Sequence, residues 1–245
     1  MKNQHLYAIV STMVLFIIAS YIFSLFQELD YTVATCMPHK CFCEAIHHQS
    51  YIKQFSNTVS SFSFVYLGIL IIFQNQQNKL FQIFGLFTAF IGLGSAFFHA
   101  TLSFLGQSFD LAGIYLLTSF IFVYALYRIY NLGTIESMIL LIIINFVLDI
   151  GLIYTPELRR YLVGLLVVFG LLSEVFYIKS RLVNIQTKWI TYSSISIVLA
   201  FCVWVVDIQK ILCYPQSIFQ GHALWHFLST LSIYFLYKYY RSEKF

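Results

Sequence analysis

The chain has 245 residues, of which 60% are hydrophobic and 10% are charged, and its formal net charge is +4. A soluble domain is nearer half apolar and a quarter charged, so this composition excludes a water-soluble globule and indicates a membrane-embedded protein. The positive charge forms no basic stripe, which argues against a nucleic-acid partner, and no feature of the sequence indicates a protein partner.

The hydropathy pattern predicts eight transmembrane helices. A span needs about 20 apolar residues to cross about 30 Å of hydrocarbon, and backbone polar groups in lipid must be satisfied internally. The predicted helices cover residues 7–26, 51–73, 81–104, 108–130, 135–154, 158–178, 189–206 and 217–237. We therefore predict an all-α, polytopic bundle. The first helix is interpreted as a retained anchor, because its apolar run is longer than that of a signal peptide.

The positions of the lysines and arginines predict the orientation of the bundle. With the N-terminus inside, nine of these residues fall in inner segments and five in outer segments. We therefore expect both termini in the cytoplasm.

Four of the five cysteines fall in predicted outer loops, where disulfides can persist. A bridge from Cys41 or Cys43 to Cys213 would tie the first long loop to the segment before the last helix. The alternative is a small metal site made by Cys36, His39, Cys41 and Cys43, but this spacing matches no common zinc motif. Cys202 lies within a span and is interpreted as a small buried apolar residue.

Ionisable side chains inside a membrane are costly, so each of them is a candidate for function. Ser95 and His99 lie four residues apart at the end of the third predicted helix, and His222 and His226 lie four apart at the start of the eighth. Each pair therefore shares one helix face. Asp110 lies at the start of the fourth helix. The topology predicts a similar depth for all five residues, near the outer surface.

Three neutral imidazoles with an open position are typical of a catalytic zinc site, whereas structural sites usually have four protein ligands. We therefore predict that His99, His222 and His226 bind Zn²⁺. Asp110 is suited to act as a general base, and Ser95 can hydrogen-bond the bound water or the developing oxyanion.

Other polar residues in the spans have simpler interpretations. Asn57 and Asp207 are expected to support the site by contacting the residues that bind the metal. Asp207, like Asp149, lies near a helix end where solvent or a partner can satisfy its carboxylate. Glu174 is expected to extend its carboxylate to the inner surface. Gly92 and Gly94 are interpreted as helix-packing positions.

Three stretches carry the five candidate residues, namely Gly94-Ser95-x-x-x-His99-x-Thr101-Leu102, Gln107-x-x-Asp110 and His222-Ala223-x-Trp225-His226. Together they resemble the signature of the alkaline ceramidases, a family related to the adiponectin-receptor-like membrane proteins. Cys43-Glu44 with Phe55-x-Asn57-Thr58, and Trp204-x-x-Asp207 with Cys213, are similar to further segments of that family. The resemblance covers about residues 41–237.

This resemblance implies a seven-helix core, preceded here by one extra N-terminal transmembrane helix. The expected organisation is an anchor helix over 1–27, an outer cysteine-containing loop over 28–50, the seven-helix domain over 51–240 and a cytoplasmic tail over 241–245. The resemblance also implies a zinc held by the three histidines, with Ser95 and Asp110 as catalytic partners. It implies cleavage of the ceramide amide to a sphingoid base and a fatty acid, and a disulfide between Cys43 and Cys213.

The chain departs from the family at the calcium site of the N-terminal segment. Glu44 is present, but Gln54 stands where an acid is expected and Ile46 where an asparagine is expected, so the sequence does not support calcium dependence.

Two alternatives to ceramide hydrolysis remain open. One is a zinc-dependent lipid esterase, similar to a phospholipase-like remodelling enzyme. The other is a non-enzymatic, receptor-like protein whose structural zinc has Asp110 as its fourth ligand. For the hydrolase, the expected partner is a ceramide-like membrane lipid that enters sideways from the bilayer.

Overall fold

The computed structural model describes residues 2–26, 32–37, 41–180 and 185–243, and within these ranges the chain forms eight α-helices and no β-strand. The helices are α1 (Lys2–Phe26), α2 (Phe55–Gln74), α3 (Lys79–Thr101), α4 (Phe104–Tyr130), α5 (Thr134–Tyr154), α6 (Arg159–Ser180), α7 (Lys188–Ile208) and α8 (Gly221–Arg241). A short 3₁₀ turn, Pro156–Leu158, precedes α6. The all-α prediction is confirmed.

Three helices begin several residues away from their predicted starts because of how their first N–H groups are satisfied. The Ser103 side chain accepts a hydrogen bond from the Gly106 N–H at 3.0 Å, so α4 begins at Phe104. The Glu44 carboxylate accepts from two N–H groups in the first turn of α2. The Asp207 carboxylate accepts from the His222 N–H at 3.1 Å in the first turn of α8. Carboxylates are favourable at helix N-termini, but each of these lies outside its helix, 12 to 15 residues earlier in the chain.

Seven of the described helices, α1 to α7, are long and apolar enough to cross a membrane, which indicates a membrane protein. Helix α8 has 21 residues but carries two histidines and several serines and tyrosines, so it does not reach the same apolarity. It nevertheless runs along the whole of α2: His226 contacts Ser60 at one end, and Tyr237 contacts Asn75 at the other. The orientation of the bundle stays a prediction.

The helices pack in a defined order around the interior. Helix α2 packs against α3 and α8, α4 packs against α3, α5 and α6, and α7 packs against α8, while α1 lies on the outside of α2 and α3. Helices α6 and α7 are not packed against each other along their length. The bundle therefore has a side between α6 and α7 that is not closed by a helix–helix interface.

Glycines allow the closest approaches between helices. A Cβ added to Gly68 would lie 2.4 Å from the Gly85 carbonyl oxygen, and one added to Gly92 would lie 2.7 Å from the Ser61 carbonyl oxygen. A Cβ on Gly94 would lie 2.6 Å from the Phe109 carbonyl oxygen on α4. Small residues at helix interfaces let backbones meet in this way, which agrees with the packing role predicted for Gly92 and Gly94.

The cysteines of the loop form two disulfides and not the metal site that was the alternative prediction. Cys36 is bonded to Cys41, and Cys43 is bonded to Cys213 across 170 residues of sequence. The second pair is the one that the family resemblance implies. Because all four sulfurs are in disulfides, the metal-site alternative is wrong; its remaining member, His39, lies outside the described residues.

The interpretations of Cys202 and Glu174 are also wrong. Cys202 is exposed on α7, because the apolar pattern of a membrane helix does not reveal which face meets lipid. Glu174 is fully buried and pairs with Arg128, because partners on other helices compensate for the burial of its charge. Asp207 is buried as well and bonds to two backbone N–H groups, whereas Asp149 has one carboxylate oxygen that is buried without a partner.

We predict that Gly68→Ala destabilises the fold by about 1–3 kcal/mol, the usual cost of forcing an extra carbon into a packed interior. Gly164→Ala is the matched control, because a Cβ on Gly164 meets nothing within 4 Å. Thermal unfolding in one detergent would compare them. Equal melting temperatures for the two variants would contradict the tight α2–α3 contact.

Candidate metal centre

Three histidines meet at one end of the bundle, which we call the histidine end. His99 lies in the last turn of α3, while His222 and His226 lie in the first two turns of α8. All three are buried, and one ligand nitrogen from each lies within 4.8 Å of the other two. The four-residue spacing of His222 and His226 places their ring centroids 4.6 Å apart on one helix face.

The hydrogen bonds of the histidines leave nitrogen lone pairs free toward the centre of the cluster. His99 Nδ1 lies 2.9 Å from Gln54 Oε1, so Nδ1 carries the proton. Its Nε2 is buried without a partner, and so is His222 Nδ1. Buried polar atoms almost always have partners. Two unpartnered imidazole nitrogens in one cluster therefore fit a metal ion, and a three-histidine donor set suits zinc.

His226 is held between two serines from neighbouring helices. Its Nδ1 lies 2.7 Å from Ser60 Oγ on α2, and its Nε2 lies 3.3 Å from Ser95 Oγ on α3. A hydrogen bond at one ring nitrogen of a metal-ligating histidine fixes the ring and the tautomer. Ser60 and Gln54 therefore hold His226 and His99 in the same manner, each from the N-terminal end of α2.

Gln54 connects the 41–44 loop to the histidine cluster through three hydrogen bonds. Its side-chain Nε2 donates to the Glu44 carbonyl oxygen at 3.2 Å, and its Oε1 accepts from His99. Its backbone N–H donates to the His99 carbonyl oxygen at 3.1 Å. Gln54 is fully buried, so the residue that departs from the family's calcium pattern supports the histidine cluster directly.

The loop over residues 41–44 covers the cluster from outside. The Phe42 ring stacks on His222 with ring centroids 3.8 Å apart. Asp207 accepts from the Cys43 N–H at 3.2 Å as well as from the His222 N–H, and so joins the disulfide to α8. The Glu44 carboxylate accepts from the Asn57 N–H at 2.9 Å. Burial raises the pKa of Glu44 above its usual value, while its backbone donors act in the opposite direction.

Ser95 and Asp110 lie beside the histidines, at the contact between α3 and α4. Ser95 is buried, its Oγ lies 3.1 Å from Ser61 Oγ, and its side chain interacts with the Asp110 carboxylate. Gly94 permits this arrangement, because its missing side chain lets the backbone at Phe109 approach α3. The serine, the carboxylate and the histidine cluster therefore share one space.

Asn57 and Asp207 support the site in different ways. The Asn57 carbonyl oxygen accepts from the hydroxyls of Ser60 and Ser61 and so orients both serines. Its amide side chain is fully buried, and neither of its polar atoms has a partner. Asp207 positions the start of α8 through its backbone contact with His222.

The sequence reasoning missed Phe42, Gln54 and Ser60 as supports of the site. Ser60 follows Asn57 by three residues within an apolar helix, so a polar stripe on α2 was an available signal. Gln54 had no local signal, and neither did Phe42, because an aromatic residue in a loop is uninformative until its partner is known.

An elongated cavity runs from the histidine end into the bundle. Its polar end is lined by Ser95, Asp110, His222 and His226, and the rest of it lies between α4, α6, α7 and α8 with mainly apolar residues. Such a combination of an apolar pocket with a few convergent polar groups is typical of a ligand site.

These features define a helical membrane protein with a buried three-histidine cluster at the head of an apolar cavity. The sequence profile of the Ceramidase family matches residues 39–243, and the chain therefore belongs to that family. The match spans α2 to α8 and leaves α1 outside, which agrees with a seven-helix core and one extra helix. Membership implies a hydrolase that acts on amide bonds and a lipid substrate. No curated protein matches the chain.

We predict that Gln54→Leu lowers the affinity of the cluster for zinc by about 10–100-fold, the usual effect of removing a hydrogen-bond partner of a metal-ligating histidine. Gln54→Glu keeps an acceptor for His99 Nδ1 and should retain the metal. Zinc content after dialysis against graded chelator would measure this. Equal zinc retention by the leucine and glutamate variants would contradict the role of Gln54.

Proposed function

We propose that this protein is a zinc-dependent intramembrane hydrolase that cleaves the amide bond of ceramide-like lipids to a sphingoid base and a fatty acid. The observation that carries the proposal is the group of unpartnered imidazole nitrogens on His99 and His222, next to Ser95 and Asp110 in a chain of the Ceramidase family. We further propose that the termini face the cytoplasm, as the distribution of basic residues predicts.

The cavity fits a lipid that keeps its chains in the apolar interior. Its amide would lie at the histidine end, where the polar lining is concentrated, and an acyl chain would follow the groove between α4, α6, α7 and α8. The side between α6 and α7 is not closed by packing, so the lipid can enter laterally from the bilayer without crossing the loop that covers the site.

His99, His222 and His226 would hold the zinc, and when bound it would polarise the carbonyl and lower the pKa of a water. Asp110 takes a proton from the attacking water while the water oxygen adds to the carbonyl carbon. The same carboxyl then returns this proton to the nitrogen as the carbon–nitrogen bond breaks, so the amine leaves neutral. Ser95, held next to Ser61, donates a hydrogen bond to the oxygen on which negative charge develops.

We expect about one zinc per chain in the purified wild-type protein and little in His222→Ala, because a catalytic zinc site usually has three protein ligands and this variant keeps only two of the three imidazoles. His48→Ala removes an exposed loop histidine and should leave the metal content unchanged. Elemental analysis of protein in detergent measures this without knowledge of the substrate. Absence of zinc from wild type, even after reconstitution with excess metal, would rule out the hydrolase.

We predict that Asp110→Asn lowers ceramide hydrolysis by about 10²–10⁴-fold, the usual contribution of a general acid–base group, and retains the zinc. The measurement is product formation from a panel of amide and ester lipids, with metal content determined on the same samples. His226→Ala should lose both activity and metal.

The panel also tests the two alternatives. Faster cleavage of esters than of amides would make the protein a lipid esterase with the same metal centre. No turnover of any lipid, together with loss of zinc in Asp110→Asn, would identify Asp110 as a fourth ligand and the zinc as structural.

A further inference from the structure

A second buried polar cluster lies at the end of the bundle opposite the histidines. Arg128 on α4 pairs with Glu174 on α6, and it also donates to the Glu243 carboxylate at 3.1 Å, just beyond the end of α8. The hydroxyls of Tyr239 and Tyr240 donate to the Glu174 carboxylate at 3.0 and 2.8 Å. We call these five residues the polar clasp.

The polar clasp is closed and fully partnered. Arg128, Glu174 and Glu243 are all buried, and the Arg128 guanidinium also lies 4.2 Å from the ring centroids of Tyr124 and Tyr177. Separating one member of a buried ion pair from its partner is strongly destabilising, because it leaves an uncompensated charge. The clasp therefore resists displacement more than an apolar layer of similar size would.

The cavity ends immediately before this cluster on three helices. Its last lining residues are Ile121 on α4, Leu171 on α6 and Leu236 on α8. The next side chains on the same helices, within about one turn, include Tyr124, Glu174 and Tyr240. Leu236 and Tyr240 are four residues apart and share a face. With a rise of about 1.5 Å per residue, the ten residues from His226 to Leu236 give a channel about 15 Å long.

We propose that the polar clasp is the closed end of the acyl-chain channel and that it sets the upper limit on the length of the chain that this enzyme accepts. A chain that reached the clasp would have to displace Tyr240 or part Arg128 from Glu174, and an apolar chain cannot replace the contacts that are lost. The proposal rests on the proposed function for the identity of the lipid, and its contacts and geometry lie far from the histidine cluster.

The test compares three single substitutions near the end of α8. Tyr240→Ala opens space beyond Leu236, while Arg128 and Tyr239 still satisfy Glu174. Tyr240→Phe keeps the ring and removes only the hydroxyl. Tyr237→Ala makes a void of the same size on another face of the helix, where the ring packs against Phe81 and the hydroxyl accepts from Asn75.

We expect Tyr240→Ala to raise the ratio of myristoyl-ceramide to lauroyl-ceramide hydrolysis by about tenfold or more, the effect of burying roughly two further methylenes. Tyr240→Phe and Tyr237→Ala should keep the wild-type ratio. An unchanged ratio in Tyr240→Ala that still cleaves lauroyl-ceramide, or the same rise in Tyr237→Ala, would overturn the proposal.

A binding measurement tests the length of chain that the channel accepts without requiring hydrolysis. Lauric, myristic and palmitic acids are added to each variant in lipid nanodiscs, and the shift in thermal unfolding reports their affinities. If the wild-type protein hydrolyses no ceramide, the proposed function fails. The fatty-acid binding measurement then tests by itself whether the polar clasp limits the chain length.

A substitution inside the channel, between the histidines and the polar clasp, should shorten the chain that the protein accepts. This test does not depend on the folding of Tyr240→Ala. Gly170 lines the channel, and the atoms nearest to a Cβ built on it belong to the Ile121 side chain, at 3.3 Å, and to the Thr118 carbonyl, at 3.9 Å. Gly170→Leu should therefore lower the longest chain that stabilises the protein. If Gly170→Leu binds all three acids with wild-type affinities, the cavity is not the acyl channel and the proposal fails.

Discussion

Buried polar groups constrain this bundle more than any other feature, because lipid offers no hydrogen-bond partner to a group that lacks one in the protein. The structure concentrates such groups at two levels. At one end, three imidazoles are held by Gln54 and Ser60 and retain free nitrogens between them. At the other end, Arg128 and Glu174 neutralise each other among tyrosines. The apolar cavity lies between the two clusters.

The loop over residues 41–44 is part of the histidine site rather than a cover added to it. The carboxylates of Glu44 and Asp207 satisfy the first N–H groups of α2 and α8, the two helices that carry Ser60 and His226. The disulfide at Cys43 keeps the loop next to both helix starts. Folding of the loop and placement of the histidines are therefore coupled, since each supplies the hydrogen-bond partners of the other.

Helix α8 is less suited to a lipid environment than the other helices, because it supplies polar side chains to both clusters. It contributes two histidines to one cluster and two tyrosines to the other, and it is the described helix that does not meet the apolarity of a membrane span. Packing against α2 and α7 shields most of its polar face. A helix of this composition depends on its neighbours, because polar side chains that face lipid would have no partners.

The sequence alone determined helices α1 to α7, because a run of about 20 apolar residues in a membrane can satisfy its own backbone only as a helix. It also determined which histidines can share a helix face, because four-residue spacing is a local property. The tertiary structure decided what depends on contacts between distant residues. Those are the partners of Gln54 and Arg128, the starts of α2 and α8, and the side of α7 that exposes Cys202. Hydropathy places a residue within a helix, but only packing decides what that residue faces.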